Sequence, residues 1–215
     1  MYDVIVFDLD GTLTDPGEGI TASVSYALEQ MGLPVPERQE LYKFIGPPIY
    51  DSFTTFYGFD EEQTARAVKY YREHYGTQGL WGNEVYEGIP QLLAKLKAAG
   101  KQLLVATSKP EVFAIQILER FDLKQYFDLV AGSTLDSSRV KKGDVINYAL
   151  SALELEPGPT VIMVGDREHD VLGARQAGLD CIGVLFGYGD EPELRKAGAV
   201  QIAATVSDLE RLLLA

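Results

Sequence analysis

The sequence predicts an α/β protein in which helices cover both faces of a parallel sheet and a small helical domain follows the first strand. Short runs of consecutive apolar residues, typical of strands buried on both faces, alternate with segments of helical periodicity. This alternation stops between residues 16 and 82, where helical patterns occur without a buried-strand pattern.

Five apolar runs predict the strands, and each precedes a polar or glycine-containing turn. They cover residues 4–7, 103–106, 127–130, 161–164 and 181–185. Apolar stripes with helical spacing lie between them, at residues 89–96, 112–121 and 145–152. Consecutive strands joined by helices are typical of a parallel sheet, because a parallel crossover usually contains a helix.

The interruption predicts a two-domain organisation. Ile20, Val24 and Leu28 lie on one face of a helix that ends near Gly32, and several aromatic residues follow. We therefore expect a core formed by residues 1–15 and 83–215 and a helical insertion at residues 16–82.

Composition excludes several function classes. The chain has 215 residues, 46% of them hydrophobic, which is ordinary globular usage. Its formal net charge of -13 argues against nucleic acid and anionic membrane surfaces as partners. The single cysteine, Cys181, excludes an internal disulfide. No apolar run reaches the roughly 18 residues of a membrane span, and no signal peptide is visible. These features predict a cytoplasmic protein.

Two carboxylates follow the first predicted strand. Asp8 and Asp10 are two residues apart, and Gly11 permits a sharp turn directly after them. In an open parallel sheet, ligands bind beyond the carboxyl ends of the strands. Buried carboxylates so close together are costly unless a cation lies between them. A simple surface turn that caps a helix is the alternative interpretation.

Three further polar groups occupy comparable places along the chain. They are Thr107 and Ser108 after the second core strand, Lys141 and Lys142 before a helix, and Asp166 and Asp170 after the fourth core strand. Each has an ordinary alternative: a hydroxyl cap, solvated lysines, or acids favoured by a helix dipole. Together, in this order, they indicate a site that binds an anion close to a cation.

With these residues in place, the chain resembles the haloacid dehalogenase superfamily. The first motif of that family, DxDGT[LV], matches DLDGTL from Asp8. The second matches Thr107, the third best matches Lys142 with Lys141 as the fallback, and the fourth matches GDREHD, which contains Asp166 and Asp170. The resemblance covers nearly the whole chain. It implies a three-layer Rossmann-like core and, at residues 16–82, a helical cap of the C1 type. The GDREHDVLGARQAG and FIGPP segments are most similar to the phosphoglycolate phosphatase-like branch.

The resemblance implies a Mg²⁺-dependent phosphatase that acts on a small phosphorylated metabolite through an aspartyl-phosphate intermediate. It assigns Asp8 as nucleophile and Asp10 as general acid and base. The metal ligands it implies are Asp8, the Asp10 carbonyl, Asp166 and Asp170, and the phosphate-binding residues are Gly11, Thr12, Thr107, Ser108 and Lys142.

Several alternatives stay open at this point. Within the same branch, the chain is compatible with a 5'-nucleotidase or a protein-tyrosine-phosphatase-like enzyme, and with a β-phosphoglucomutase-like phosphotransferase. A dehalogenase proper is disfavoured because Asp10 is present. A phosphorylatable signalling module similar to a response-regulator receiver also uses an acidic cluster, a Thr or Ser and a lysine. The chain is expected to be a monomer or a homodimer.

Overall fold

A computed structural model describes residues 1–136 and 138–215 of the chain. The chain folds into two compact units, one formed by residues 1–14 and 85–215 and the other by residues 15–84. The predicted boundary after residue 15 lies one residue from the observed boundary after residue 14. The predicted boundary after residue 82 lies two residues from the observed boundary after residue 84. Among the described residues, no helix has both the length and the hydropathy needed to cross a membrane.

From residue 84 onward, strands and α-helices alternate along the chain, as predicted for the core. The strands are β1 (Val4–Phe7), β2 (Thr14–Asp15), β3 (Glu84–Val85), β4 (Gln102–Pro110), β5 (Leu129–Ser133), β6 (Val161–Gly165), β7 (Asp180–Val184) and β8 (Gln201–Ala203). The α-helices are α1 (Gly17–Gln30), α2 (Ile49–Tyr57), α3 (Glu61–Thr77), α4 (Ile89–Ala98), α5 (Glu111–Arg120), α6 (Lys142–Ala152), α7 (Glu168–Gln176), α8 (Glu191–Ala197) and α9 (Val206–Leu214). Short 3-10 helices cover Arg38–Phe44, Gly79–Trp81 and Lys124–Tyr126.

Six strands of the first unit form a parallel sheet in the order β5-β4-β1-β6-β7-β8. Val6 in the middle of β1 is in register with Leu104 of β4 and Met163 of β6. All four residues of β1 are buried, as its unbroken apolar sequence predicts. The α/β fold class is therefore confirmed, and the carboxyl ends of β4, β1 and β6 lie side by side.

Helices pack on the sheet through one apolar cluster. Val6 and Met163 of the sheet share this cluster with Ile146 of α6, Val171 of α7 and Leu194 of α8. This packing fixes α6 and α7, which begin beside the carboxyl ends of the strands, against the sheet. Polar residues at the starts of α6 and α7 are consequently positioned by the same core as the strand ends.

The second unit is helical, and aromatic residues form part of its core. Phe44 and Phe53 are almost fully buried, with ring centroids 5.2 Å apart and ring planes at 62°. Asp60 begins α3 with a capping box, because its side chain accepts from the Gln63 amide and the Gln63 side chain accepts from the Asp60 amide. The apolar stripe of α1, predicted from Ile20 onward, is buried.

Several strand bounds differ from the prediction. The strand expected at 103–106 continues to Pro110, so Thr107 and Ser108 belong to β4 itself. The strand expected at 127–130 is β5, which begins at Leu129, and β7 ends one residue before the predicted end at 185. The sequence analysis did not predict β8. This three-residue edge strand has one exposed, one half-buried and one buried residue, and therefore lacks the apolar run that marks the central strands.

Replacing a side chain of the central strand should destabilise the first unit. Ile5 is fully buried in β1, so Ile5→Ala removes packed methyl and methylene groups and leaves a cavity. We expect a loss of about 2–5 kcal/mol in the free energy of unfolding, measured by urea denaturation with circular dichroism. Val112→Ala is the control, because this α5 side chain is 44% exposed. A loss below about 1 kcal/mol for Ile5→Ala would contradict the described packing.

Candidate active site

Polar side chains from three neighbouring strands meet at the carboxyl edge of the sheet. Asp8 follows the last residue of β1, and Asp166 follows the last residue of β6. Thr107 lies in the last part of β4. Because β1 lies between β4 and β6, the sheet order alone brings these three residues to one place.

A buried lysine connects two of the buried carboxylates. Lys142 is the first residue of α6, and its Nζ lies 2.7 Å from Asp8 Oδ1 and 2.8 Å from Asp170 Oδ1. The same ammonium group donates to the Ala106 carbonyl oxygen at 3.1 Å. Lys141, the fallback in the sequence analysis, is exposed. The structure thus places Lys142, and not its neighbour, among the acids.

Burial and mutual repulsion govern the charge of these groups. Burial raises the pKa of Asp8 to about 7, and the nearby Asp170 and Asp10 charges add to this effect while Lys142 opposes it. Burial, followed by the Asp170 and Asp8 charges, also raises the pKa of Asp166 well above its usual range. For Lys142, burial disfavours the ammonium form, but the Asp170 and Asp8 charges outweigh it and raise the pKa above its usual value.

Three carboxylates form a group that fits a metal ion: those of Asp8, Asp166 and Asp170. One carboxylate oxygen from each lies within 4.8 Å of the others, and all three residues are buried. The Lys142 ammonium contacts Asp8 and Asp170, and full ionisation of all three carboxylates leaves negative charge that a divalent cation would balance. Hard oxygen ligands of this kind suit Mg²⁺. The Asp10 carboxylate is not part of this group, and the backbone carbonyl predicted as its contribution stays a prediction.

Asp166 is held by a close approach of the backbone. The Tyr188 amide donates to Asp166 Oδ2 at 2.8 Å, and the Thr12 hydroxyl lies 3.4 Å from Oδ1. Gly11 has φ +81° and lies so close that a Cβ there would be 2.2 Å from Asp166 Oδ2. A Cβ on Gly187 would lie 2.2 Å from the Gly11 carbonyl oxygen and 2.5 Å from Asp166 Cβ.

The predicted phosphate-binding residues also lie in buried positions at this edge. Thr12 and Thr107 are buried, and Thr107 Oγ1 accepts from the Lys109 amide at 3.2 Å. Ser108 Oγ is buried without a hydrogen-bond partner among the described residues. Since buried hydroxyl groups normally have partners, this atom is available for a ligand. Their role in phosphate binding stays a prediction.

The sequence analysis missed two parts of this site. Lys109 Nζ lies 2.8 Å from Asp10 Oδ2 in a buried ion pair, and the segment from Gly187 to Gly189 packs against Asp166. Each had a signal in the sequence. Lys109 directly follows Thr107 and Ser108, and the segment contains two closely spaced glycines just after an apolar strand.

The comparisons with known proteins agree on one family. A family model described as haloacid dehalogenase-like hydrolase matches residues 5–184. A crystal structure of a predicted phosphatase from Clostridium acetobutylicum superposes with a TM-score of 0.97 at 47% identity, covering 100% of this chain and 99% of that one.

Curated relatives carry different activity names. A 5'-nucleotidase from Pseudomonas aeruginosa is 45% identical over 99% of this chain and 96% of its own length. The tyrosine-protein kinase PtkA of Mycobacterium tuberculosis is 40% identical over 98% of this chain and 72% of its own length. A phosphoglycolate phosphatase from Neisseria gonorrhoeae is 31% identical over 86% of this chain and 81% of its own length. The predicted resemblance to haloacid dehalogenase-type phosphatases, including phosphoglycolate phosphatases, is confirmed.

The glycine next to Asp166 provides a test of the acid's positioning. Gly187→Ala adds a methyl group where the Gly11 carbonyl oxygen and Asp166 already lie, so the contacts that surround Asp166 must rearrange. Displaced supporting groups typically cost 10–100-fold in metal affinity, and we expect the Kd for Mg²⁺ to rise by at least about tenfold in calorimetric titrations. Gly158→Ala is the control, because a Cβ there meets nothing within 4 Å. Equal Mg²⁺ affinity in Gly187→Ala and the unmodified protein would show that Asp166 is not a ligand.

Mg²⁺ binding should depend on pH near neutrality. Burial raises the pKa of Asp8 to about 7, so this carboxyl is mostly protonated at pH 6 and mostly ionised at pH 8. A metal ion must displace that proton, and its affinity therefore falls as pH falls. We expect the Kd to be about tenfold higher at pH 6 than at pH 8 by calorimetry.

Asp8→Asn is the matched variant for this measurement, since it lacks the carboxyl group that titrates. Its Mg²⁺ affinity should be lower and should change less between the two pH values. A Kd that is constant from pH 6 to pH 8 in the unmodified protein would contradict the raised pKa or the assignment of Asp8 as a ligand.

Proposed function

The chain belongs to the haloacid dehalogenase-like hydrolase family, and on that premise we propose that it is a Mg²⁺-dependent phosphatase that hydrolyses small phosphate monoesters. The observation that carries the proposal is the position of Asp8. It is a buried carboxylate at the carboxyl end of the central strand, beside Lys142 and within the group of three acids. Such a carboxylate has the placement that a nucleophile needs, and the adjacent charges suit a phosphoryl group.

Mg²⁺ would be held by Asp8, Asp166, Asp170 and the backbone carbonyl of Asp10. When bound, it supplies positive charge to the oxygens of the transferring phosphoryl group. Lys142 adds a second positive charge on the same side of Asp8. The hydroxyl groups of Thr107 and Ser108, together with Gly11 and Thr12, bind and orient the phosphoryl oxygens. Positioning and charge neutralisation are the main sources of catalysis in phosphoryl transfer.

In the first step, a carboxylate oxygen of Asp8 forms a bond to phosphorus while the bond from phosphorus to the substrate oxygen breaks. Asp10, in its protonated form, gives its proton to that oxygen, and the alcohol leaves. The products are an aspartyl phosphate on Asp8 and an ionised Asp10.

In the second step, a water molecule attacks the phosphorus of the aspartyl phosphate. Asp10 accepts a proton from the water while the bond between Asp8 and phosphorus breaks. Inorganic phosphate is released, Asp8 returns to its carboxylate form and Asp10 is protonated again. One group therefore serves as acid and then as base, and the cycle closes without a net proton on the protein.

The names of the relatives support a proposal for the substrate class. The relative named 5'-nucleotidase is 45% identical, against 31% for the phosphoglycolate phosphatase. This difference favours a nucleoside 5'-monophosphate over phosphoglycolate as the preferred substrate. The roles of residues 16–82 as a cap and of residues 1–15 and 83–215 as the catalytic core remain predictions from the sequence. A cytoplasmic location and a monomeric or homodimeric state remain predictions from the sequence.

Replacing the nucleophile tests the proposed function. Asp8→Asn removes the attacking oxygen anion while keeping the shape of the side chain, and we expect phosphatase activity to fall by at least about 10³-fold. Activity is measured as phosphate release in Mg²⁺ from p-nitrophenyl phosphate, a nucleoside 5'-monophosphate, phosphoglycolate and a phosphotyrosine peptide. EDTA should abolish the activity of the unmodified protein, and added Mg²⁺ should restore it.

Asp144→Asn is the control, because this exposed carboxylate at the start of α6 lies outside the group of buried acids. Residual Asp8→Asn activity within tenfold of the unmodified protein, or turnover that survives EDTA, would contradict the mechanism. Stable phosphorylation of the unmodified protein without turnover would support the receiver-like alternative. A preference for phosphoglycolate over the nucleotide would overturn the proposed substrate class alone.

A further inference from the structure

Lys109 is a buried cation that the proposed mechanism does not yet use. Its side chain is only 3% exposed, and its Nζ lies 2.8 Å from Asp10 Oδ2. Burying an ammonium group is costly unless a charged partner and hydrogen bonds compensate for the lost hydration. Asp10 supplies this partner, and the contact between the two side chains holds each of them in place.

The backbone of β4 directs Lys109 toward Asp10. The strand pairs regularly with β5 up to Ala106, and the register then shifts before Pro110. Irregularities of this kind re-aim side chains at the ends of strands, often next to active sites. The Lys109 amide donates to Thr107 Oγ1 at 3.2 Å, which ties this irregular segment to a predicted phosphate-binding residue.

The two oxygens of the Asp10 carboxyl group have different surroundings. Oδ2 contacts Lys109, whereas Oδ1 is buried without a hydrogen-bond partner among the described residues. A buried carboxylate oxygen without a partner is costly, and a ligand that bonds to it removes the cost. Oδ1 is therefore the atom that is available to exchange a proton with substrate or water.

We propose that Lys109 is a positioning residue that holds Asp10 by Oδ2 and so presents Oδ1 to the reacting oxygens. This inference rests on the proposed function, in which Asp10 gives a proton to the departing alcohol and later takes one from water. The two buried lysines then have separate tasks. Lys142 accompanies Asp8 and Asp170, whereas Lys109 orients the group that moves the proton.

The test uses a substrate whose two steps depend differently on Asp10. The nitrophenolate that leaves p-nitrophenyl phosphate is weakly basic and departs without a proton, whereas attack by water still needs a base. In Lys109→Met, we expect a rapid burst approaching one nitrophenolate per protein, followed by turnover at least about 100-fold slower than in the unmodified protein. Acid-quenched samples analysed by mass spectrometry should show the phosphorylated protein accumulating. With an alkyl phosphate, the burst should disappear because both steps need Asp10.

A double-mutant cycle separates positioning of Asp10 from direct binding of the phosphoryl group. If Lys109 acts through Asp10, Lys109→Met should lower kcat by less than about threefold further in the Asp10→Asn background. Equal additional losses in both backgrounds would overturn the proposal. A raised KM with unchanged kcat would also overturn it, because that result indicates uniform substrate binding.

Lys101→Met is the matched control. Lys101 is equally buried, precedes β4 at its opposite end and donates to the Tyr2 carbonyl oxygen, far from the carboxyl ends of the strands. Its kcat should stay within threefold of the unmodified protein. If Lys109→Met fails to fold in thermal melts, Lys109→Arg keeps the buried charge but changes its geometry, and the same cycle is measured with that variant. Absence of phosphatase activity in the unmodified protein would refute the proposed function, whereas additive effects in an active protein would refute only the role of Lys109.

Discussion

The ammonium group of Lys142, buried between Asp8 and Asp170, is the interaction on which the rest of the site depends. Carboxylates at the end of a buried strand lose most of their hydration, and their repulsion grows in the low dielectric of the interior. The positive charge of Lys142 offsets part of this repulsion. Lys142 is the first residue of α6, and its side chain reaches Asp8 and Asp170. The core that packs α6 on the sheet therefore also sets the geometry of the charges.

Burial is the main cause of the raised pKa of Asp8 and of Asp166, and the charges of the neighbouring acids add to it. Without further positive charge, burial favours the neutral forms of these carboxyl groups. A divalent cation would replace their protons and allow the carboxylates to ionise. The electrostatic cost of the cluster and its capacity for metal thus have the same origin.

Close backbone approach is the second constraint on the site. Gly11 and the segment containing Gly187 both approach Asp166 closely, and a Cβ at either glycine would overlap it or its surroundings. The Tyr188 amide then reaches Asp166 Oδ2 without a side chain intervening. On the other side of β1, Lys109 fixes one oxygen of Asp10. Asp166 and Asp10 are consequently oriented by different elements, as expected where metal binding and proton transfer need separate geometries.

Local sequence patterns were sufficient to predict the fold class and the set of acidic residues. Consecutive apolar residues mark doubly buried strands, and the order of Asp8, Thr107, Lys142 and Asp166 along the chain is sufficient for the family resemblance. The folded structure was needed to show that Lys142 lies among the acids and that Lys109 contacts Asp10. Both contacts join residues far apart in sequence. The folded structure also showed the short edge strand β8, whose three residues carry no periodic signal of their own. Local periodicity reports burial, whereas the partner of a buried charge depends on how distant segments pack.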